Sequence, residues 1–92
     1  MEKDLTLNEI IEDLQAIEPK ILEYEKNYKL LSPYFYKLYQ AGKLEEHWDF
    51  QHWAGLYEIK LDRETLYKKK IAEVIGELPL TDKIEKDLLV NI

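Results

Sequence analysis

Apolar residues recur at helical spacing from Leu7 onward. Leu7, Ile10, Ile11, Leu14 and Ile17 follow a period of about 3.6 residues. Thr6 with Glu9 three residues later has the spacing of a capping box, so the pattern predicts a helix that begins at Thr6. Pro19 ends this helix or kinks it, because proline has no N–H for the carbonyl four residues back. Ile21, Leu22 and Tyr28 continue the same stripe, so the two pieces read either as two helices or as one bent rod. Leu31-Ser32-Pro33 is the next break, with Ser32 a good N-cap and Pro33 a good first helical residue. A short helix, Pro33–Gln40, then carries Tyr34, Phe35, Leu38 and Tyr39 on neighbouring faces, with Tyr36 turned elsewhere.

Ala41-Gly42 closes that helix, since glycine takes the left-handed cap conformation without penalty. A long helix follows, starting between Glu45 and Asp49 and spanning about residues 47–77, roughly 45 Å in length. Its main stripe gathers Trp53, Leu56, Tyr57, Leu61, Tyr67, Ile71, Val74, Ile75 and Leu78. Ile59 and Leu66 lie together about 130° away, a heptad apart, with no mate in the chain. Pro79 closes the long helix, and Thr81 caps a short one from Asp82 to about Val90 that ends in Leu88, Leu89, Val90 and Ile92. The expected fold is all-α: a helical hairpin or small bundle of four to five helices with one long helix. It forms a single domain over residues 1–92, in which 79–92 is a C-terminal helical arm.

Composition changes the picture in two ways. The stretch Tyr34–Leu61 holds both tryptophans, both phenylalanines, both histidines and four of the seven tyrosines, which places the expected core there, with Phe35, Leu38, Trp53, Leu56 and Tyr57 inside. The absence of cysteine removes disulfides and thiolate zinc sites. The acidic start MEKDLTLNEIIEDL is unlike a signal peptide, and no apolar run reaches the ~18 residues of a membrane helix, so a cytoplasmic protein with no membrane contact is expected.

Charge narrows the partners. The net charge of −6 opposes non-specific binding to phosphate backbones and favours a basic protein instead. Lys68-Lys69-Lys70 is a lone basic cluster whose members point in three directions on a helix, so it reads as a solvated face. Glu45, Asp49 and His52 have the i, i+4, i+7 spacing of helical metal ligands, but the simpler reading makes Glu45, Glu46 and Asp49 first-turn acids and places His52 at the core edge. No serine stands beside a base and no glycine-rich loop is present. The expectation is a protein that is not an enzyme and takes no cofactor or metal.

The run Tyr24–Leu61 is similar to a family of small helical antitoxin-like proteins from bacterial and archaeal toxin–antitoxin pairs. The shared pattern comprises Tyr24, Glu25 and Tyr28; Ser32, Phe35 and Tyr36; Gly42 and Leu44; and Asp49, Phe50, Trp53, Ala54, Leu56, Tyr57 and Glu58. The chain departs from it at Lys29, where the family often has glycine, and at His52, where an acid is usual. The resemblance implies neutralisation of a small basic toxin by occlusion of its active cleft, and a helical homo-oligomeric scaffold is the alternative. The contact is expected to centre on Ile59, Arg63 and Leu66, with Tyr36, Leu88 and Leu89 as additions, and the free protein is expected to form a homodimer through the same surface.

Overall fold

The computed structural model describes residues 4–79. Among these, three helices form and no strand: α1 (Leu7–Tyr28), α2 (Ser32–Gln40) and α3 (Trp48–Glu77). The count is lower than four to five for two reasons. Pro19 lies inside α1, so the two expected N-terminal pieces are one helix. The helix expected from Asp82 to Val90 lies outside the described residues, as does nearly all of the expected arm over 79–92.

The capping box at the start of α1 forms in full. Thr6 Oγ1 accepts from the Glu9 amide at 3.1 Å, and Glu9 Oε1 accepts from the Thr6 amide at 2.9 Å. Two amides that a helix start would leave unpaired are thereby satisfied. Ile10, Ile17 and Ile21 are the buried residues of α1, and they hold it against α3 on both sides of the exposed Pro19. Burial at these anchors offsets the hydrogen bond that proline removes.

Left-handed residues close both shorter helices. Lys29 (φ 54°, ψ 43°) caps α1, and the Leu30 amide reaches back to the Glu25 carbonyl at 3.1 Å. Gly42 (φ 70°) follows α2, where the Gly42 amide bonds Tyr39 O at 3.1 Å and the Lys43 amide bonds Leu38 O at 3.0 Å. That pair of bonds is a Schellman motif, and it turns the chain toward α3 as the Ala41-Gly42 pair predicts. His47 caps α3, its Nδ1 accepting from the Asp49 amide at 3.1 Å.

Both α1 and α2 pack on α3. Trp53 on α3 is the centre, fully buried between rings from the other two helices. Phe35 of α2 stacks on it at 3.7 Å between centroids, and Tyr24 and Tyr28 of α1 stack on it at 5.6 and 5.8 Å. Truncation of a buried ring like this costs roughly 3–5 kcal/mol. Phe35 and Tyr57 are buried and Leu56 is half-buried, whereas Leu38 is 39% exposed, contrary to its expected place in the core. Phe35 and Tyr39 take the inner face of this short helix, which turns Leu38 outward. Leu61 is exposed as well, because α2 meets α3 only as far along as Tyr57 and Glu58.

Candidate interaction surface

Polar side chains near the core are taken up by one another. Trp53 Nε1 donates to Ser32 Oγ at 2.9 Å, and Ser32 Oγ donates to Glu25 Oε2 at 2.7 Å. The same carboxylate oxygen accepts the Ser32 amide at 2.8 Å. Ser32 is therefore the first residue of α2, with Leu31 at the cap position, and its buried hydroxyl serves Trp53 instead of capping its own helix. One glutamate from α1 ties the start of α2 to the central indole, and no buried side-chain nitrogen or oxygen among the described residues is left unpaired.

Three tyrosines join the helices around this centre. Tyr28 donates to Asp49 Oδ2 at 2.7 Å and Tyr36 donates to Glu58 Oε2 at 2.6 Å. Both phenols are raised above the ordinary 10.0, chiefly because these carboxylates hold the neutral hydroxyl. Tyr24 Oη and His52 Nδ1 share a hydrogen bond of 2.7 Å; the Tyr24 phenol is raised by burial first and by Asp49 second. Asp49 and His52 border a shallow cleft with Lys20, Glu23, Tyr24 and Asn27.

Glu45 precedes α3, so Glu45, Asp49 and His52 do not share a helix face, and the other two are hydrogen-bonded to tyrosines. Among the described residues, no group of three or more histidine, cysteine, aspartate or glutamate side chains is placed to hold a metal ion.

The expected contact residues separate. Ile59 is 41% exposed on the outer side of α3, and Leu66 is half-buried. Arg63 is engaged within the chain. Its Nε donates to Asp13 Oδ2 at 2.7 Å and its Nη1 bonds Asp62, which hold its guanidinium above its usual value. Tyr36 is bound to Glu58 and packs on Tyr57 at 5.2 Å, so it is part of the α2–α3 joint. Of the motif residues, Phe50 packs on the core beside Phe35, and Asp49 fastens Tyr28. Leu88 and Leu89 lie outside the described residues.

Sequence reasoning missed two features. Trp48, which lies in the aromatic stretch without being assigned a face, is 84% exposed at the first turn of α3. Its position about 140° around the helix from Trp53 was the available signal, since both cannot face the same core. Leu31 and Tyr34 are also outside, at 59% and 60%, beside Leu38 on the outer face of α2. This face is bordered by Lys29, Lys37 and Lys43, and no acid occurs between Glu25 and Glu45.

No helix among the described residues is long and apolar enough to cross a membrane. Comparison with protein-family models, curated proteins and solved structures finds no match to the chain.

Proposed function

We propose that the protein is a non-catalytic interaction module of the antitoxin-like kind, which binds a small basic protein and blocks that protein's active cleft. One observation carries the reading. The groups able to do acid–base chemistry near the core, Tyr24, His52, Tyr28, Asp49, Tyr36 and Glu58, are paired with one another across helix joints, while large apolar side chains such as Trp48 and Ile59 stand in solvent. Exposed apolar groups on a charged helix suit recognition, and the net charge of −6 suits a basic partner. The resemblance of Tyr24–Leu61 to antitoxin-like proteins gives the partner its class, a toxin that acts in the cytoplasm.

In this reading the contact centres on Ile59 and Leu66, joined by Trp48. Arg63 has no part in it, because it belongs to the α1–α3 joint. The test is to recover the tagged chain from its native host, identify a basic protein bound to it, and titrate the two purified components. Ile59→Asp combined with Leu66→Asp should abolish binding with helicity retained. Wild-type affinity in that double variant would rule out the surface, and turnover of a substrate by the purified chain would rule out the class.

The alternative, a homo-oligomeric scaffold of the same fold, draws on the same exposed strip of α3. It is favoured if the chain self-associates and no basic partner copurifies.

A further inference from the structure

We infer that the outer face of α2 binds an amphipathic helix of an acidic protein, with apolar side chains packed on Leu31, Tyr34 and Leu38 and carboxylates set against Lys29, Lys37 and Lys43. This goes beyond the basic-partner reading. It concerns a different surface, of opposite charge preference, and stands whether or not that reading holds.

The apolar strip is unbroken. At ~100° per residue, Tyr34, Leu38 and Ala41 fall within about 60° of one another, and no polar residue of α2 falls between them. Leu31 adjoins them at the cap position. Leu31, Tyr34 and Leu38 follow the i, i+3, i+7 recurrence of anchors that helix–helix contacts use. All three are exposed, while Phe35, Tyr36 and Tyr39 on the inner face are packed on the core.

Charge selects the occupant. Residues 26–44 carry four lysines and no acid, which leaves the rest of the chain at −10, so a cationic face sits on an acidic molecule. Lys29 lies at the Leu31 end of the strip, and the Lys43 amide bonds Leu38 O at 3.0 Å at the other. The Lys37 ammonium lies over the Tyr34 ring, 5.9 Å from its centroid. Among the described residues, none of these three lysines takes part in an ion pair. The carboxylates of the neighbouring helices hold internal hydroxyls instead: Glu25 that of Ser32, Asp49 that of Tyr28 and Glu58 that of Tyr36. Unpaired ammonium groups around an apolar strip complement carboxylates that flank an apolar stripe.

Lys29 adds an independent observation. Its backbone is left-handed (φ 54°), a conformation that glycine takes freely. A lysine at this strained position, exposed and without an ion pair among the described residues, is accounted for by contact with another molecule.

Size favours a helix over an extended anionic surface. Leu31 to Leu38 spans roughly 10 Å, and a helix roughly 10–12 Å across covers that strip and little more. A membrane surface or a nucleic-acid backbone extends further, toward Glu45 and Glu46, and is opposed by the charge on the rest of the chain. A contact this small falls below the roughly 1,200 Å² of stable complexes, so binding is transient, micromolar or weaker.

Synthetic peptides test this on the intact chain. One is a helix of about three heptads with leucine at a and d and glutamate at e and g, whose mutual repulsion keeps it from self-pairing; the control is its scrambled sequence. By fluorescence anisotropy the patterned peptide should bind at least about tenfold tighter than the scrambled one, and more weakly as salt rises. Tyr34→Asp with Leu38→Asp should weaken it at least about tenfold with helicity retained, since both side chains are exposed. Lys29→Gly should melt no lower than wild type yet bind severalfold more weakly. Ile59→Asp with Leu66→Asp should leave this binding unchanged, which separates the face from the α3 surface of the functional reading. Equal affinity for the two peptides, wild-type binding by the α2 double variant, or undiminished binding by Lys29→Gly would each overturn the inference. Tighter binding of phosphatidylserine vesicles or of a single-stranded oligonucleotide through the same side chains would overturn it in favour of a membrane or nucleic-acid contact.

Discussion

Lys29 sits where the backbone is left-handed, with φ 54° and ψ 43°. A side chain bearing a Cβ pays roughly 1–2 kcal/mol for that conformation, whereas glycine adopts it freely. Lys29→Gly should therefore raise stability in urea unfolding by about 0.5–1 kcal/mol, the glycine's extra freedom in the unfolded chain offsetting part of the gain. An unchanged or lower midpoint would mean that the lysine side chain contributes a contact of its own. The lysine itself is visible in the sequence, but its left-handed conformation belongs to the turn between α1 and α2. Ser32 teaches the same lesson. Ser32-Pro33 reads as a helix start, and a helix does start there, yet the hydroxyl is directed to Glu25 and Trp53 by packing that local sequence does not encode.

Helix α1 continues through Pro19 because its buried residues lie on both sides of the break, at Ile10, Ile17 and Ile21. Proline in a helix interior costs about 3 kcal/mol through its missing N–H and its clash with the preceding turn. Pro19→Ala at this exposed position should raise the melting temperature, with a gain of about 1–3 kcal/mol. A fall would show that the geometry proline imposes is needed to seat Ile17 and Ile21 together. Periodicity alone left this open, since the stripe continues across Pro19 whether the backbone bends or breaks. The long helix was readable throughout: Pro79 as its stop and a continuous apolar stripe place it near 47–77, and it runs from Trp48 to Glu77. Its partners were harder to read, because the reach of α2 along it depends on where the Gly42 turn sets the two helices down. That placement leaves Leu38 and Leu61 outside.

Across the three helices, tyrosine hydroxyls act as cross-ties, and this gives the molecule an alkaline limit. The Tyr24, Tyr28 and Tyr36 phenols are raised above 10.0 in the fold, so folding favours their neutral forms. Their stabilisation is fully present below pH ~10 and is lost as pH rises through the higher folded values. Tyrosinate absorbance followed together with circular dichroism should show part of the seven tyrosines ionising only as helicity falls. Ionisation of all of them near pH 10 with helicity intact would contradict the cross-tie role. Below that limit the rings are held by Trp53, which no single helix could bury, so α1, α2 and α3 are expected to unfold together.

The sequence by itself determined the all-helical class, the capping box at Thr6, the turn at Gly42 and the span of α3. Each of these depends on backbone preferences and on apolar spacing within one segment, information that a few neighbouring residues carry in full. It also determined that Trp53 and Phe35 lie inside, since aromatic area this large at a helix crossing has to be removed from water. Tertiary structure decided the rest. It joined the N-terminal pieces into α1, sent Ser32 to Trp53, tied Arg63 to Asp13, and left Leu38 and Leu61 exposed. Those outcomes depend on which faces of separate helices meet. A helix presents several candidate faces to a partner, and only packing in three dimensions selects among them.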